Sequence, residues 1–512
     1  MNNALTILRK FMLDENIDCL LVNSTNEFLM EYNSLQNNSR YKVTGFSGST
    51  GDALITFDNV YLFVDGRYHI QADLEVDTQI TTVVKLQTGQ TFIDEMLNKV
   101  PPSKILGIFS KKISQSTLEK IQSRVKVKLL SIDPLDTVEL VQKNAMVELS
   151  EQLTGLSTEK KIEKLNLNAD EALVLTNLED VSYLFNMRDF STPFSSKIKG
   201  KAVVLQNNAF LFTTQREFEE YIKALNKKIF IDRSTINAYD YALTQVTEIE
   251  NNPIKLMKSI KTDAEILHYT EAFNSTDKVM MAIRNYILDN DGVSEADITQ
   301  KLEQEFYKHG AKSLSFNSIV AKDRNSALAH YSKTSKDEII TDGSLVLIDC
   351  GAYFDGGLAT DITRVFVKGK PSTLQKQVYT TVLKALITAF NTNKKTGYEI
   401  DNDVREFFNL NVIDGFVFNH GLGHGIGINV HEAPPSLSKT DMAKVILKEN
   451  MCFTIEPGLY NEKHFGVRLE NSCYIKDGKI NSFVKMPFEK KLINFDMLTE
   501  NEKSWIDEFG VI

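Results

Sequence analysis

The pattern of hydrophobic and polar positions divides the chain into a first part of α/β character and a later part that mixes helices with antiparallel strands. Short apolar runs at 19–23, 52–57 and 60–66 predict strands among helix-like stretches, as α/β units have. A second α/β segment begins near residue 140, and its residues 173–184 loosely match 21–32. This match indicates two related halves, although a match of this length also arises by chance.

The later part of the chain begins with a strong helix signal. Thr262 and Glu265 form a capping box ahead of apolar residues at helical spacing, and 373–390 predicts a second amphipathic helix. At 344–368 and 451–476 the apolar period changes to two, which is typical of antiparallel strands. The predicted fold class is therefore α/β followed by α+β. The predicted domains are 1–138, 139–252 and 253–512.

Composition and charge restrict the possible partners and the compartment. The 512 residues include 58 basic and 68 acidic side chains, and the net charge of −10 argues against nucleic acid and anionic lipid. No apolar run approaches the roughly 18–20 residues that span a bilayer, and residues 1–18 lack the apolar stretch of a signal peptide. Four cysteines without a CxxC pair indicate neither a disulfide framework nor a zinc motif. We therefore expect a cytoplasmic protein that binds neither nucleic acid nor membrane.

The first candidate for chemistry is a predicted hairpin at 345–367. Its Asp-Gly-Gly turn has a midpoint near Asp355, which would place Asp349 almost opposite Asp361. Side chains in such a pair have Cβ atoms about 4.5–5.5 Å apart. Two carboxylates this close repel unless one takes up a proton or a cation lies between them. The alternative is that one aspartate caps the turn and the other faces water, and the pattern alone leaves both open.

The second candidate is the segment 419–435, which contains His420, His424 and His431. Its glycines, at every second position from 421 to 427, argue against a helix and allow the backbone to approach a ligand closely. Neither a dinucleotide fingerprint nor a phosphate-binding lysine motif is present, so a nucleotide site is not indicated. A histidine cluster beside glycines favours a functional site, whereas a lone histidine is more often a core residue.

Two glutamates in strand-like sequence complete the set. Glu470 shares a strand face with Arg468, while Val467 and Leu469 point to the other face, and a surface ion pair is the alternative interpretation. Together with Glu456, the carboxylates and one imidazole suit two divalent cations such as manganese. Ions held about 3.5–4 Å apart activate a shared water and polarise a carbonyl. The residues alone thus predict a dinuclear metallohydrolase without specifying a substrate.

The ligand order Asp, Asp, His, Glu, Glu resembles that of the pita-bread metallopeptidases, and of aminopeptidase P among them. The similar segments are IDCGAYFDGGLATDITRVF, HGLGHGIGINVHE, TIEPGLY, GVRLEN and FNSIVAKDRNSALAHY. Residues 41–76 and 170–189 are similar to the first two domains of the three-domain, cytosolic-type enzymes, so the resemblance covers nearly the whole chain. It implies two creatinase-like α/β domains followed by a pita-bread catalytic domain, in which a curved antiparallel sheet is flanked by helices.

The resemblance also implies a metal site. Two divalent ions, manganese first and cobalt or zinc as alternatives, would be held by Asp349, Asp361, His424, Glu456 and Glu470. Asp361 and Glu470 would bridge both ions, and Glu456 would also handle the proton of the bridging water.

Further roles follow from the resemblance for residues around the metals. His431 and His330 would stabilise the scissile carbonyl or the tetrahedral intermediate, a donor role of the oxyanion type. His420 would line the proline pocket, and Arg468 would orient a ligand carboxylate.

The implied activity is hydrolysis of the bond between an N-terminal residue and a following proline, by a metal-bridged water. The expected partners are peptides with proline at the second position and a second copy of the chain, in a homodimer. Alternatives with the same fold are a dipeptide-restricted prolidase, an inactive peptide- or protein-binding module and a metal-free creatine-type amidinohydrolase. The two N-terminal domains favour the aminopeptidase over the prolidase, and the full ligand set argues against the other two. The turn between Asp349 and Asp361 is one residue longer than in many members, and we expect a bulge to absorb it.

Overall fold

The structure, a computed structural model, describes residues 3–87, 89–136, 145–244 and 252–512. Its helices are α1 (Asn3–Asp14), α2 (Ser39–Thr44), α3 (His69–Glu75), α4 (Phe92–Leu97), α5 (Gln115–Gln122), α6 (Glu151–Thr154), α7 (Thr158–Leu165), α8 (Leu178–Leu184), α9 (Gln215–Ala224), α10 (Ala238–Ala242), α11 (Pro253–Ser259), α12 (Asp263–Asp289), α13 (Glu295–Lys308), α14 (Thr373–Phe390), α15 (Gly397–Leu410) and α16 (Glu500–Phe509). Its strands are β1 (Cys19–Val22), β2 (Asp52–Thr56), β3 (Val60–Val64), β4 (Thr81–Lys85), β5 (Ile105–Phe109), β6 (Lys126–Leu130), β7 (Val147–Glu148), β8 (Glu171–Leu175), β9 (Met187–Arg188), β10 (Lys201–Val204), β11 (Ala209–Phe212), β12 (Lys228–Phe230), β13 (Ser313–Leu314), β14 (Ile319–Lys322), β15 (Leu345–Cys350), β16 (Ala352–Tyr353), β17 (Ile362–Val367), β18 (Gly423–His424), β19 (Ser436–Leu437), β20 (Cys452–Ile455), β21 (Gly458–Tyr460), β22 (Gly466–Arg468), β23 (Asn471–Lys476) and β24 (Lys479–Ser482).

Two compact units divide the chain. The first comprises Met1–Asn144, Thr158–Leu184 and Ile198–Pro253, and the second comprises Ala145–Ser157, Phe185–Lys197 and Ile254–Ile512. The second unit therefore includes two segments from the region predicted as the second domain. The three-domain division stays a prediction, and its first boundary, between 138 and 139, lies outside the described residues.

The first unit contains a six-stranded sheet in the order β4-β3-β2-β1-β5-β6. The central strand β1 pairs antiparallel with β2 and parallel with β5. Its side chains alternate between two apolar cores, with Leu20 and Val22 in one and Cys19 and Leu21 in the other. A strand covered on both faces reads as a continuous apolar run, which is why the sequence predicted β1 to β3 correctly.

A second sheet of the same unit has the order β11-β10-β8-β12. Strand β8 pairs antiparallel with β10 and parallel with β12, and β10 pairs antiparallel with β11. The first sheet contains the same arrangement: β3 pairs antiparallel with β2, β2 pairs antiparallel with β1, and β1 pairs parallel with β5. This shared arrangement supports the interpretation that the first half of the chain contains two related α/β parts.

The second unit is built around strands β14, β15 and β17, which form an antiparallel sheet. Leu345 and Leu347 of β15 and Val365 and Val367 of β17 lie in one apolar core together with residues of α14, α15 and α16. Side chains alternate along a strand, so this same face presents Asp349 at the end of β15. The apolar core thus passes directly into the candidate site where the strands end.

Helix ends in this unit follow their local sequence. The predicted capping box of Thr262 with Glu265 begins α12 and is confirmed, and a further capping box, Thr499 with Glu502, begins α16. The helix predicted at 373–390 is confirmed as α14. All four cysteines are free and buried. Within the described ranges, no helix has the length and apolarity that a membrane span requires.

Candidate metal centre

The aspartate hairpin differs from the predicted one in its register. Asp349 pairs with Thr363, and the bridge between Tyr353 and Ala359 continues that register, so the turn is centred on Gly356. The prediction that Asp349 lies almost opposite Asp361 is therefore wrong by two residues on the facing strand. The two carboxylates still share a strand face as diagonal neighbours, because the displacement equals one side-chain period.

The position of the turn is set by contacts with residues that are distant in the sequence. The Gly356 amide donates to Nε2 of His268 on α12 (3.1 Å), and the Ala359 amide donates to the carbonyl of Gly427 (2.8 Å). These contacts and the positive φ of Gly357 (62°) fix the turn one residue later than its sequence suggested. Asp349 and Asp361 are only 8% and 4% exposed, which excludes the alternative that one of them faces water.

Three of the five predicted ligands converge on one point. Asp361, His424 and Glu470 each offer one ligand atom, and these atoms all lie within 4.8 Å of one another. Asp361 directly precedes β17, His424 ends the short strand β18, and Glu470 lies between β22 and β23. Strand ends from three separate parts of the chain thus form the cluster.

The fourth predicted ligand, Glu456, follows strand β20 and lies beside this cluster. Its Oε1 is 3.7 Å from Nε2 of His424, and its Oε2 is 4.0 Å from Nε of Arg468. Its amide donates to the carbonyl of Leu422 (2.8 Å), which ties the glutamate strand to the histidine segment. Pro457 then lies between β20 and β21, where a residue without an amide N–H ends the strand.

Arg468 connects Asp349, the fifth predicted ligand, to the other residues of the site. Its Nη2 donates to Oδ2 of Asp349 (2.6 Å), and its Nε donates to Oγ1 of Thr363 (3.1 Å). The Thr363 hydroxyl in turn donates to Oε2 of Glu470 (2.7 Å). Arg468 and Glu470 are 3% and 2% exposed, so the alternative of a surface ion pair is wrong.

The buried carboxylates of the cluster destabilise one another's ionised forms. Burial, followed by the charges of Glu470, Asp349 and Glu456, raises the pKa of Asp361 well above its usual range. Burial and the neighbouring Glu456 and Asp349 likewise raise the pKa of Glu470. A bound cation would reverse this effect, because it compensates the carboxylate charges that repel each other.

His424 presents a nitrogen suited to a metal. Its Nδ1 lies 3.1 Å from the Gly425 carbonyl, and a carbonyl only accepts, so Nδ1 carries the proton. Nε2 is therefore the ring nitrogen available to a metal, and it lies 3.5 Å from Oδ2 of Asp361 and 3.7 Å from Oε1 of Glu456. A backbone carbonyl that accepts from the other ring nitrogen fixes the orientation of metal-binding histidines in this way.

The residues fit a pair of divalent cations. Among the described residues, Oδ1 of Asp349 and Oδ1 of Asp361 are buried atoms that accept no hydrogen bond from the protein. Buried polar oxygens normally have partners, so these two are oriented for a ligand. Hard carboxylate oxygens with one imidazole suit manganese, cobalt or zinc.

The remaining histidines are placed as follows. Nε2 of His420 is 2.9 Å from the Tyr460 hydroxyl, and Nδ1 of His420 is 2.8 Å from the Gly421 carbonyl. The rings of His431 and His424 are perpendicular, with centroids 4.4 Å apart. His330 is half-buried in the loop that follows the 3₁₀ helix Asp323–Ala327. The functional roles of the three histidines stay predictions.

Two residues of the centre were missed in the sequence. Thr363 bridges Arg468 and Glu470, and the Tyr460 hydroxyl accepts from Nη1 of Arg468 (2.9 Å) while it contacts His420. The signal for Thr363 was its strand face, since it lies two residues after Asp361. Tyr460 had no comparable signal, because its position follows from the pairing of β21 with β22.

Family models match most of the chain. Residues 268–477 match metallopeptidase family M24, and residues 5–140 and 136–240 match two models of a creatinase/prolidase N-terminal domain. These matches confirm the predicted order of domain types along the chain, two creatinase-like domains followed by a pita-bread domain.

Similar proteins match this chain over nearly its whole length. A probable Xaa-Pro aminopeptidase P of Coprinopsis cinerea is 28% identical over 99% of this chain and 94% of its own. Xaa-Pro aminopeptidase 1 of Dictyostelium discoideum is 28% identical over 98% of this chain and 91% of its own. Among solved structures, an X-prolyl aminopeptidase from Caenorhabditis elegans, described as a cytosolic enzyme with a di-nuclear active site, has the same fold. It superposes with a TM-score of 0.87 at 21% identity, over 99% of this chain and 94% of that one.

Proposed function

Residues 268–477 match metallopeptidase family M24, and we propose that the chain is a Xaa-Pro aminopeptidase that works with two divalent metal ions. It removes the N-terminal residue of peptides that have proline at the second position. The single observation that carries the metal requirement is the buried convergence of Asp361, Glu470 and Nε2 of His424. The names of the similar proteins from Coprinopsis and Dictyostelium support the reaction and its substrates.

Asp349, Asp361, His424, Glu456 and Glu470 would hold the two ions, and Asp361 and Glu470 would be shared between them. Manganese is the proposed metal, because it matches a site of four carboxylates and one imidazole without thiolates. When bound, the two ions supply an activated water and polarise the scissile carbonyl. The orphaned Oδ1 atoms of Asp349 and Asp361 support their assignment as ligands.

The residues around the ions have separate proposed tasks. Glu456 lies at the edge of the cluster, beside both His424 and His420, where it can take up the proton of the attacking water. His431 and His330 donate to the scissile carbonyl as its oxygen becomes negative. His420 lines the proline pocket, and Arg468 holds Asp349 in its orientation.

A dedicated site for proline has a chemical reason. The bond before proline is a tertiary amide that lacks an N–H group, so a general peptidase loses a hydrogen bond by which it holds its substrate. A pocket for the proline ring replaces that contact. The proposal also includes a cytoplasmic homodimer, and the description of the Caenorhabditis elegans enzyme as cytosolic supports the location. Light scattering on the full chain tests the dimer.

Peptide cleavage by chelator-stripped protein, with and without added manganese, tests the activity. The substrates are an Xaa-Pro-Xaa tripeptide, the matching Xaa-Pro dipeptide and an Xaa-Ala-Xaa tripeptide as the control for proline specificity. We expect manganese to restore release of the first residue from the proline tripeptide alone. A preference for the dipeptide would instead identify a prolidase. No cleavage under manganese, cobalt or zinc would leave a peptide-binding module as the remaining function.

A further inference from the structure

The segment Phe185–Lys197, which we call the strap, belongs to the same compact unit as the metal centre. It leaves helix α8, pairs through β9 with β7, and ends before β10. The Asp189 amide donates to the Ser196 carbonyl (3.0 Å), which folds the strap back on itself. Its last residues, 195–197, are buried, although the strap is neither a ligand segment nor part of the sheet core.

Ser196 lies between the two segments that carry the metal ligands. Its Oγ donates to the Gly357 carbonyl (2.7 Å), in the turn of the aspartate hairpin, and lies 3.3 Å from the Ile428 carbonyl. Ile428 belongs to the loop Gly425–Glu432, which we call the histidine loop because it carries His431. Ser196 is fully buried, so this one hydroxyl joins the hairpin turn to the histidine loop.

Lys197 reaches the histidine loop through a second route. Its Nζ donates to Oδ1 of Asn429 (3.0 Å), and Nδ2 of Asn429 donates to the carbonyl of His431 (3.0 Å). Lys197 and Asn429 are both buried, at 7% and 8% exposure. Two consecutive hydrogen bonds therefore run from the strap to the backbone of His431.

The other end of the histidine loop is held by Glu432. Its Oε2 accepts from the Ile428 amide (2.9 Å), and its Oε1 accepts from Nζ of the buried Lys261 (2.8 Å). A Cβ at Gly427 would lie 1.9 Å from Oε1 of Glu432, so the loop closes tightly around this side chain. His431 is thus fixed on one side by Asn429 and on the other by Glu432.

We propose that Ser196 and Lys197 are positioning residues that hold the imidazole of His431 for the reaction, with Asn429 as the connecting side chain. This inference rests on the proposed function, in which His431 donates to the developing oxyanion. Such a donor acts only at hydrogen-bond distance from that oxygen, and a displacement of about 1 Å can lower the rate about a hundredfold. The strap thereby gives the region between α8 and β10 a part in catalysis.

The variant Lys197→Met tests the inference, because it removes Nζ and keeps the length of the side chain. We expect kcat to fall about tenfold or more, while KM changes less than about threefold. Losses of this size are typical of residues that hydrogen-bond to active-site groups without touching the substrate. Metal content, measured by mass spectrometry, should equal that of the wild type. Lys197→Arg should restore part of the rate, and Ser191→Ala, at an exposed position of the same strap, is the matched control.

A double-mutant cycle separates positioning from a general structural role. In the His431→Ala background, Lys197→Met should lower kcat no further, because the group through which it acts is gone. If the two substitutions multiply their effects on kcat, or if Lys197→Met alone matches the wild type, the inference is overturned. Asn429→Ala repeats the cycle should Lys197→Met fail to fold.

Hydrogen–deuterium exchange gives a readout that needs no activity. The amides of Gly427, Ile428 and Glu432 bond within the histidine loop, so we expect Lys197→Met to speed their exchange while β17 stays protected. Unchanged exchange in this loop contradicts the inference even if the wild type cleaves no peptide. A wild type without peptidase activity but with faster loop exchange in the variant would reject the proposed function and retain the strap contact.

Discussion

Asp361 and Glu470 are buried side by side, and each faces further carboxylates. Burial and this repulsion raise the pKa of both groups, so the protein alone does not favour their ionised forms. Metal binding must therefore displace protons, and metal affinity should fall as the pH decreases. At the scale of single residues, bound cations would stabilise the charged form of the site.

The first prediction concerns the bridging charge of Asp361. Asp361→Asn should lower kcat by about a thousandfold, since losing several kcal/mol of metal-derived stabilisation corresponds to about three powers of ten. The fold should persist, because the amide has the shape of the carboxyl group. Turnover and circular dichroism of the same sample measure both effects. Unchanged turnover would contradict the dinuclear assignment.

The second prediction concerns Thr363, whose hydroxyl connects Arg468 to Glu470. Thr363→Val keeps the buried shape and removes this connection, so manganese affinity should fall about 10- to 100-fold. Calorimetric titration of the stripped variant with manganese measures this loss. Metal affinity equal to that of the wild type would mean that the hydroxyl does not orient Glu470.

The third prediction distinguishes His431 from the ligands. His431→Ala should lower kcat about 10²- to 10³-fold, as the loss of one oxyanion donor does, and leave the metal content unchanged. Steady-state kinetics and metal analysis check both statements. Loss of metal in this variant would assign His431 to the ligands instead.

At the residue scale, most of the site could be predicted from the sequence. Asp349, Asp361, His424, Glu456 and Glu470 stand in motifs with distinctive residue types, so spacing and resemblance selected them. Thr363 and Tyr460 were not predicted, because their hydrogen bonds join segments that are distant in sequence.

At the scale of elements, helix α12 supports the aspartate hairpin. His268 accepts from the turn at Gly356, and the hydroxyls of Thr276 and Thr360 lie 2.9 Å apart. One turn residue was misplaced in the sequence prediction because these contacts, rather than the Asp-Gly-Gly signal, set the turn. Helix ends and strands were predictable, since caps and apolar periods are local properties.

The fourth prediction concerns Asp277, which lies on the same helix and accepts from the Lys485 amide (2.8 Å). Burial raises its pKa from 3.8 to about 6. The folded state therefore holds the proton more tightly, and the resulting stability is complete below about pH 4 and lost as the pH rises through about 6. Ionisation at neutral pH thus destabilises the fold, by roughly 2–3 kcal/mol for a shift of this size.

Asp277→Asn should remove that penalty, because the amide mimics the neutral carboxyl group and still accepts from Lys485. Thermal unfolding of both stripped proteins at pH 5 and pH 7.5 should show a stabilisation by the variant that is larger at pH 7.5. An advantage that is equal at both pH values, or larger at pH 5, would exclude ionised Asp277 as its cause.

At the scale of the whole molecule, the sequence predicted the order of domain types but not their spatial division. Segments 145–157 and 185–197 belong to the compact unit of the metal centre, although their sequence continues that of the second α/β part. Their membership follows from buried side chains such as Ser196, which bond to distant backbone. Such contacts cannot be predicted from the local hydrophobic period or from a motif.

The fifth prediction concerns stability with and without metal. Because ions bind the folded ligand set, saturating manganese should raise the Tm of the second unit by about 5 °C. Calorimetry of the stripped and reloaded protein measures this increase, and Asp361→Asn should show less of it. An equal increase in the variant would place the stabilising ions elsewhere.

The most direct test of the two-ion site is a titration of the stripped protein with manganese, followed by cleavage of the proline tripeptide at each step. If the proposed set of four carboxylates and one imidazole holds two ions, activity should reach its plateau at two ions per chain. The Asp361→Asn variant should stay inactive throughout the titration. A plateau at one ion per chain, or cleavage by protein that contains no metal, would contradict the dinuclear peptidase.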